Sequence, residues 1–176
     1  VSVREILKQV DIEHAQREYR ATAACGVCGK TEIADLDSKL PELTRTEVNT
    51  TLLETLPDIL RQSQTLFEAT GGIHAAGIFD QAGSLLCIRE DIGRHNAVDK
   101  AIGHFVRMEA VPLTQNILVV SGRAGFELVQ KALKASIPVM VSVGAASSLA
   151  VQMATDAGMA LYSFAGRGRG NLHVKD

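Results

Sequence analysis

The sequence predicts an α/β fold, a three-layer sandwich in which helices cover both faces of a mostly parallel sheet that also contains one hairpin. Short apolar runs of strand length alternate along the chain with longer segments whose apolar residues recur at helical spacing. The runs 117–120 and 139–143 contain almost no polar residues, which is typical of strands buried on both faces. Because strand–helix–strand units connect parallel neighbours, a layered α/β sheet follows.

The elements begin near residue 44. Helical spacing of apolar residues predicts one or two helices over 46–69, with Pro57 marking a kink or a new helix start. Residues 73–79 and 84–88 predict two strands joined by a turn at 80–83, which makes a hairpin. The remaining prediction is an alternation of helices over 94–108, 126–135 and 148–157 with strands over 117–120, 139–143 and 161–164.

The chain is the size of one typical domain, and its composition excludes several classes of protein. Residues 44–176 form the predicted α/β domain, whereas residues 1–43 lack regular apolar spacing and are predicted to be an arm. With 46% hydrophobic residues the chain can bury a sizeable core, and its net charge of -2 gives no electrostatic argument for nucleic acid or an anionic membrane. No run reaches the roughly 18–20 apolar residues of a membrane-spanning helix. Three cysteines are too few for a disulfide framework, so we expect a cytoplasmic protein.

Polar and small residues follow three of the predicted strands, at 89–96, 121–125 and 144–148. The carboxyl ends of parallel strands share one edge with helix N-termini, whose free N–H groups attract anions. Arg94 and Arg123 have the side chain that holds phosphate through two parallel hydrogen bonds. The three loops together favour a phosphate-bearing ligand, although ordinary helix caps would give a similar composition.

Three further segments supply candidate ligand contacts. His95 lies four residues before Asp99, so a helix would bring the carboxylate to the imidazole, and we assign His95 to ligand contact rather than catalysis. His74 follows two glycines that permit close backbone approach, with a satisfied core histidine as the plain alternative. The tail after the last strand combines an aromatic ring with two arginines on flexible glycines, which suits stacking on a base and neutralising phosphates, with a solvated tail as the equal alternative. Its candidate residues are Phe164, Ala165, Gly166, Arg167, Gly168 and Arg169.

Cys25 and Cys28 form a Cys-x-x-Cys pair within the predicted arm. Such a pair serves as a redox dithiol, as half of a zinc site or as a nucleophile with a helper thiol. A structural zinc needs four ligands, and only Cys87 remains, inside a predicted apolar strand, so we expect no metal site unless a dimer shares ligands. An exposed thiolate near Lys30 suits sulfur passed between partners as a persulfide, and a redox dithiol stays open.

Four segments of this sequence carry a family resemblance. They are the dodecamer at 89–100, Arg-Glu-Asp-Ile-Gly-Arg-His-Asn-Ala-Val-Asp-Lys, with Cys25-Gly26-Val27-Cys28-Gly29, Thr70-Gly71-Gly72-Ile73-His74-Ala75 and Ser121-Gly122-Arg123. In these segments the chain closely resembles the FdhD family, the formate dehydrogenase accessory proteins or sulfur carrier proteins. The resemblance runs from about residue 25 to residue 171. Family members usually carry a further N-terminal β-rich segment, so we expect this chain to be the C-terminal portion.

The resemblance implies a cytidine-deaminase-like core without deaminase chemistry, and His74-Ala75-Ala76 indeed lacks the carboxylate of a deaminase His-x-Glu. It implies transfer of sulfur from a cysteine desulfurase to the molybdenum (or tungsten) bis-molybdopterin guanine dinucleotide cofactor, before this cofactor enters formate dehydrogenase. It assigns the persulfide to Cys25, with Cys28 assisting or substituting, and cofactor binding to residues 164–169. His74, Arg94, His95 and Arg123 are the further contacts, and a homodimer is the default expectation.

Two other functions fit the same sequence. One is a non-catalytic chaperone that binds guanine nucleotide or the whole cofactor, and the other is a dithiol redox protein. The chain also departs from the family pattern in two loops, where Gly144-Ala145-Ala146 replaces Ser-Ala-Pro and Gly125 stands where a serine is common. A hydroxyl and a proline are thereby missing, so we expect cofactor affinity or guanine contacts to differ there.

Overall fold

The computed structural model describes residues 41, 43–44 and 46–174, and Leu40–Asp176 forms one compact unit. Cys25 and Cys28 lie outside the described residues. The helices are α1 (Thr50–Gln62), α2 (Thr65–Thr70), α3 (Arg94–Arg107), α4 (Phe126–Lys134) and α5 (Ser148–Asp156). The strands are β1 (His74–Asp80), β2 (Leu85–Asp91), β3 (Asn116–Val120), β4 (Val139–Ser142), β5 (Ala160–Gly166) and β6 (Arg169–His173).

The sheet has the strand order β2-β1-β3-β4-β5-β6 and is mixed. The pairs β3–β4 and β4–β5 are parallel, as predicted, and β1–β2 is the predicted hairpin. The expectation of a mostly parallel sheet is wrong in one respect, because β1 also pairs antiparallel with β3, and β6 pairs antiparallel with β5. The physical reason is that the β2–α3–β3 crossover passes over β1, so the hairpin strand lies between two strands that run opposite to it.

The α/β class and its layers are confirmed. On one face of the sheet, the buried leucines of α1 pack against alternate residues of the central strands. These leucines are Leu53, Leu56 and Leu60, which recur every three or four residues and so share one side of the helix. Asn49 caps the start of α1 by accepting a hydrogen bond from the N–H of Leu52 at 3.2 Å. Helices α3, α4 and α5 bury their own apolar residues on the other side.

The segment after β5 is ordered as a second hairpin. The sequence predicts a strand ending at Phe164 followed by a glycine-rich tail, whereas β5 continues to Gly166 and turns into β6. Arg167 and Gly168 form the turn with φ of 55° and 68°. Two successive positive φ values match a type I′ turn, whose twist suits a tight hairpin. The alternative of a solvated tail on flexible glycines is therefore wrong for residues 164–169.

Candidate functional site

The loops that follow β3, β4 and β5 lie at one edge of the sheet, and backbone hydrogen bonds join them. The N–H of Gly144 donates to Gly122 O at 3.0 Å, and the N–H of Phe164 donates to Gly144 O at 3.1 Å. The buried Ser142 hydroxyl donates to Gly122 O at 2.8 Å. The predicted convergence is therefore confirmed for the loops at 121–125 and 144–148, whose bonds to each other and to Phe164 fix the shape of this edge.

A cleft of about 940 Å³ opens at this edge, between the helices α1 and α2 and the β5–β6 hairpin. His74 at the start of β1 and Ser121 after β3 form part of its floor. The Ser121 hydroxyl oxygen accepts the N–H of Ala75 at 2.9 Å, which leaves the hydroxyl proton to donate to another acceptor. The residues that line the cleft are Pro57, Asp58, Leu60, Arg61, Gln64, Phe67, Gly72, Ile73, His74, Ser121, Val143, Phe164, Ala165, Gly166, Arg167, Arg169, Gly170 and Asn171.

Six of the predicted contacts come together in this cleft. They are His74, Phe164, Ala165, Gly166, Arg167 and Arg169. Gly168 lies at the turn of the hairpin and does not line the cleft, and neither do Arg94, His95 and Arg123. The structure thus joins the start of β1 with the second hairpin but separates both from the N-termini of α3 and α4.

The walls of the cleft carry more positive than negative charge. Arg61 on α1 and the hairpin residues Arg167 and Arg169 line the cleft, and Asp58 supplies the single carboxylate among the lining residues. The guanidinium carbon of Arg61 lies 4.3 Å from the centre of the Phe67 ring, a cation–π contact that fixes both side chains on the same wall. An anion with several charges would meet three guanidinium groups here.

Phe164 presents its ring to solvent at the mouth of the cleft. The side chain is 54% exposed, and the residue has a φ of 53°, a conformation that bulky L-residues rarely adopt. The pairing of β5 with β6 shifts register between Ser163 and Gly166, so the strand is irregular at this point. The surrounding hairpin therefore holds a strained residue whose ring faces outward, which is a feature of ligand-contacting positions.

Gln64, which the sequence analysis missed, is the buried polar residue of the cleft. It is only 3% exposed, and its amide nitrogen has no hydrogen-bond partner among the described residues. An unpartnered buried amide is costly, so a group that supplies an acceptor would stabilise it. A signal was present in the sequence, because Gln64 continues the stripe of Leu53, Leu56 and Leu60 at the same spacing.

The pairing expected between His95 and Asp99 is wrong. His95 Nε2 lies 2.7 Å from a carboxylate oxygen of Glu127 on α4, whereas Asp99 binds Lys131 at 2.7 Å. Burial lowers the pKa of His95, and the nearby Glu127 carboxylate opposes that shift. The Nε atom of Arg94 is buried and has no hydrogen-bond partner in the described part of the chain. Helix α3 thus directs His95 toward α4 and not into the cleft.

Gly144 has a steric reason to be glycine. A Cβ atom there would lie 3.1 Å from the Cα and 2.9 Å from the Cγ of Arg123. A serine at this position would therefore push the loop that carries Arg123 away from its neighbour. The first of the two departures from the family pattern reflects tight contact between the loops after β3 and β4.

The described part of the chain holds no group of three His, Cys, Asp or Glu residues arranged to bind a metal ion. Nor does any helix there have the length and apolar character needed to cross a membrane.

Comparison with known proteins finds a family model and relatives that carry the same family name. The model of the FdhD/NarQ family matches residues 1–175. Sulfur carrier protein FdhD of Corynebacterium efficiens is 48% identical over 165 residues, which are 93% of this chain and 58% of that protein. The protein of the same name from Nocardia farcinica is 49% identical over 152 residues, 84% of this chain and 54% of that protein. The chain thus spans between half and two thirds of the length of these relatives.

A solved structure has a similar fold. A protein from Desulfotalea psychrophila, described as a formate dehydrogenase accessory protein, superposes with a TM-score of 0.69 at 26% sequence identity. The match covers 79% of this chain and 58% of that one.

Proposed function

Because this chain belongs to the FdhD/NarQ family, we propose that it carries sulfur for the maturation of a formate dehydrogenase. The names of its relatives, sulfur carrier protein and formate dehydrogenase accessory protein, support this function. The observation that carries the proposal furthest is the cleft, where three arginines, an exposed aromatic ring and an unpartnered amide converge. That combination suits a ligand that contains both phosphates and a nucleobase.

The proposed chemistry begins at Cys25. Its thiolate attacks the terminal sulfur of a persulfide on a cysteine desulfurase, the S–S bond of the donor breaks, and the donor cysteine leaves as a thiolate. Release of the carried sulfur as sulfide needs two electrons. Cys28 supplies them by attacking Cys25, which forms a Cys25–Cys28 disulfide that a cellular thiol then reduces. In the alternative assignment Cys28 carries the sulfur itself.

The proposed acceptor is the molybdenum (or tungsten) bis-molybdopterin guanine dinucleotide cofactor, which binds as a substrate. Arg61, Arg167 and Arg169 would hold its pyrophosphate groups, because guanidinium groups match phosphate oxygens in charge and geometry. Phe164 offers an exposed ring on which a guanine base can stack. The Gln64 amide lies in the same cleft and would donate to a carbonyl acceptor of the ligand.

The remaining parts of the proposal concern partners. A cysteine desulfurase donates the sulfur, a formate dehydrogenase receives the sulfurated cofactor, and both encounters take place in the cytoplasm. Two copies of the chain form a homodimer, the commonest closed assembly of soluble proteins. The described lining of the cleft contains no thiol, so the proposal has Cys25 or Cys28 bring the sulfur to it.

The intact mass of the reduced chain tests the proposal. After incubation with a cysteine desulfurase and cysteine, we expect a gain of one sulfur atom that a thiol reductant removes. The gain should vanish in Cys25→Ala and persist in the matched control Cys87→Ala, because Cys87 is buried and burial raises the pKa of its thiol. No gain in the parent chain with an active desulfurase would contradict sulfur carriage.

A non-catalytic cofactor chaperone is the second candidate, and it is favoured by a cleft whose described lining contains binding groups but no thiol. Full activation of formate dehydrogenase by the Cys25→Ala, Cys28→Ala double variant would select the chaperone. The dithiol redox alternative requires a Cys25–Cys28 disulfide that turns over in a thiol-exchange assay.

A further inference from the structure

A second cleft, of about 660 Å³, lies along β2, the strand at the end of the sheet opposite β6. Residues 88–90 of β2, the α1–α2 junction and the second half of α3 bound it. None of its lining residues lines the cleft described above. The proposed function therefore leaves this region without a role.

On the outer side of β2, the backbone N–H and C=O groups are not paired with any other strand of the described sheet. The N–H of Ala75 donates to the hydroxyl of Ser121, the residue after β3, and the carbonyl of Ala75 accepts the N–H of the same serine. The backbone of Ala75 therefore faces away from β2. Since backbone direction alternates along an antiparallel strand, its neighbour Ala76 faces β2, where it is in register with Arg89. The residues on either side of Arg89 must then direct their backbone groups outward.

Side chains, and not another strand, cover the carbonyl groups on this outer edge. Ile88 O accepts a hydrogen bond from the Arg89 guanidinium at 2.7 Å, and Glu90 O accepts one from Lys100 Nζ at 3.3 Å. The N–H groups of Ile88 and Glu90 have no partner on their outward side among the described residues. Cationic side chains oppose pairing with an arbitrary strand, but they leave these N–H groups unpaired and attract a strand that carries carboxylates.

The charge along this edge favours an acidic partner. The carboxylate of Glu90 already accepts the N–H groups of Leu66 and Phe67, both at 2.9 Å, at the start of α2. Within the described residues no carboxylate forms an ion pair with Arg89 or Arg107. Arg107 is the exposed last residue of α3 and lines the cleft. Arg89 contacts Ile88 O at 2.7 Å and a ring nitrogen of His104 at 3.0 Å but no carboxylate, so both guanidinium charges can attract carboxylates from outside.

We propose that the edge of β2 binds an extended acidic segment of a partner protein, which joins the sheet as an added strand. The segment exchanges backbone hydrogen bonds with Ile88 and Glu90. Its side chains alternate, so carboxylates point toward Arg89 and Arg107 on the α3 side, and apolar residues point toward the half-exposed Leu66 on the α2 side.

Blocked heptapeptides test this proposal on the full chain. We expect a peptide of alternating Glu and Val to bind and to slow hydrogen exchange at the amides of Ile88 and Glu90. Arg107→Glu should weaken that binding about three- to tenfold, as expected when one exposed ion pair is replaced by a like-charge contact. Lys134→Glu, a charge reversal at the exposed last residue of α4, is the matched control and should leave the affinity unchanged.

Two other peptides separate the contributions of charge and backbone. An alternating Glu and Pro peptide keeps the charge but loses half of the N–H donors, and an alternating Lys and Val peptide keeps the donors but reverses the charge. Equal binding of either one overturns the proposal, as does failure of the Glu and Val peptide to bind. Protection of the Ile88 and Glu90 amides before any peptide is added would also overturn it, because another segment or a second copy would then occupy the edge.

Discussion

Replacing Gln64 by methionine should make the protein more stable and weaken its binding of a guanine nucleotide. Methionine is unbranched, nearly as long and apolar, so it keeps the packing at the junction of α1 and α2 but removes a buried amide whose nitrogen has no partner among the described residues. Leaving a buried polar group unpaired costs about 1–3 kcal/mol. We therefore expect the free energy of unfolding to rise by about 1 kcal/mol, which corresponds to about 2–4 °C in Tm for a domain of this size.

The same change removes a hydrogen-bond donor from the cleft. If the Gln64 amide donates to the ligand, its loss should weaken the binding of guanosine diphosphate about two- to tenfold, since one net hydrogen bond contributes about 0.5–1.5 kcal/mol. The two effects have opposite signs, and a general packing defect would not produce that combination, because it would lower both stability and affinity.

Urea unfolding and isothermal titration calorimetry measure the two effects. Gln62→Met is the matched control, because Gln62 lies two residues earlier, at the end of α1, and is exposed; we expect the stability of this variant to change by less than about 0.5 kcal/mol. Destabilisation of Gln64→Met beyond the control would refute the reasoning, because it would mean that the amide already has a partner. Unchanged nucleotide affinity would refute the role of Gln64 in the cleft.

Two further predictions concern packing and pH. A Cβ on Gly170 would overlap the ring of Tyr162, whose hydroxyl donates to Glu54 at 3.0 Å. In urea unfolding, Gly170→Ala should therefore lower the free energy of unfolding by about 1–3 kcal/mol. Gly103 on α3 has open space around it, so Gly103→Ala should raise the free energy of unfolding by up to about 1 kcal/mol. Equal effects of the two variants would contradict this packing. The hydrogen bond from Lys100, together with that from the N–H of Gly93, lowers the pKa of Asp91 to about 2. The carboxylate therefore stabilises the fold fully above about pH 4, and this stabilisation is lost as the pH falls toward 2. Asp91→Asn should therefore have a lower Tm than the parent at pH 7 and the same Tm near pH 2, and a constant difference across that range would argue against the shift.

Elements with an apolar pattern could be predicted from the sequence, and the element without one could not. The strands β1, β3, β4 and β5 appear within a few residues of their predicted positions because each buries a run of apolar side chains, and β2 follows from the turn that pairs it with β1. Strand β6, with the sequence Arg-Gly-Asn-Leu-His, has no such pattern. It forms because the Arg167–Gly168 turn returns the chain along β5, and Gly170 leaves room for Tyr162. Its formation therefore depends on pairing with β5, which no local property of residues 169–173 indicates.

The candidate site, like the fold, could be predicted from the sequence only in part. The edge of the sheet was predictable because the carboxyl ends of parallel strands define it. The wall formed by Arg61, Gln64 and Phe67 was not, since it depends on how α1 and α2 pack across the end of the sheet. A stripe of leucines that ends in a buried glutamine was the one local sign of that wall.

The handedness of the strand–helix–strand crossovers explains why Arg94, His95 and Arg123 lie apart from the cleft. The three crossovers β2–α3–β3, β3–α4–β4 and β4–α5–β5 all advance in the same direction along the sheet. Right-handed crossovers that advance in one direction place their helices on one face, so α3, α4 and α5 crowd together there. Their N-termini reach the shared edge from that face, whereas the cleft opens on the face that α1 covers. An anion in the cleft is therefore met by arginine side chains from α1 and the second hairpin, and not by the helix N-termini from which the sequence predicted phosphate binding.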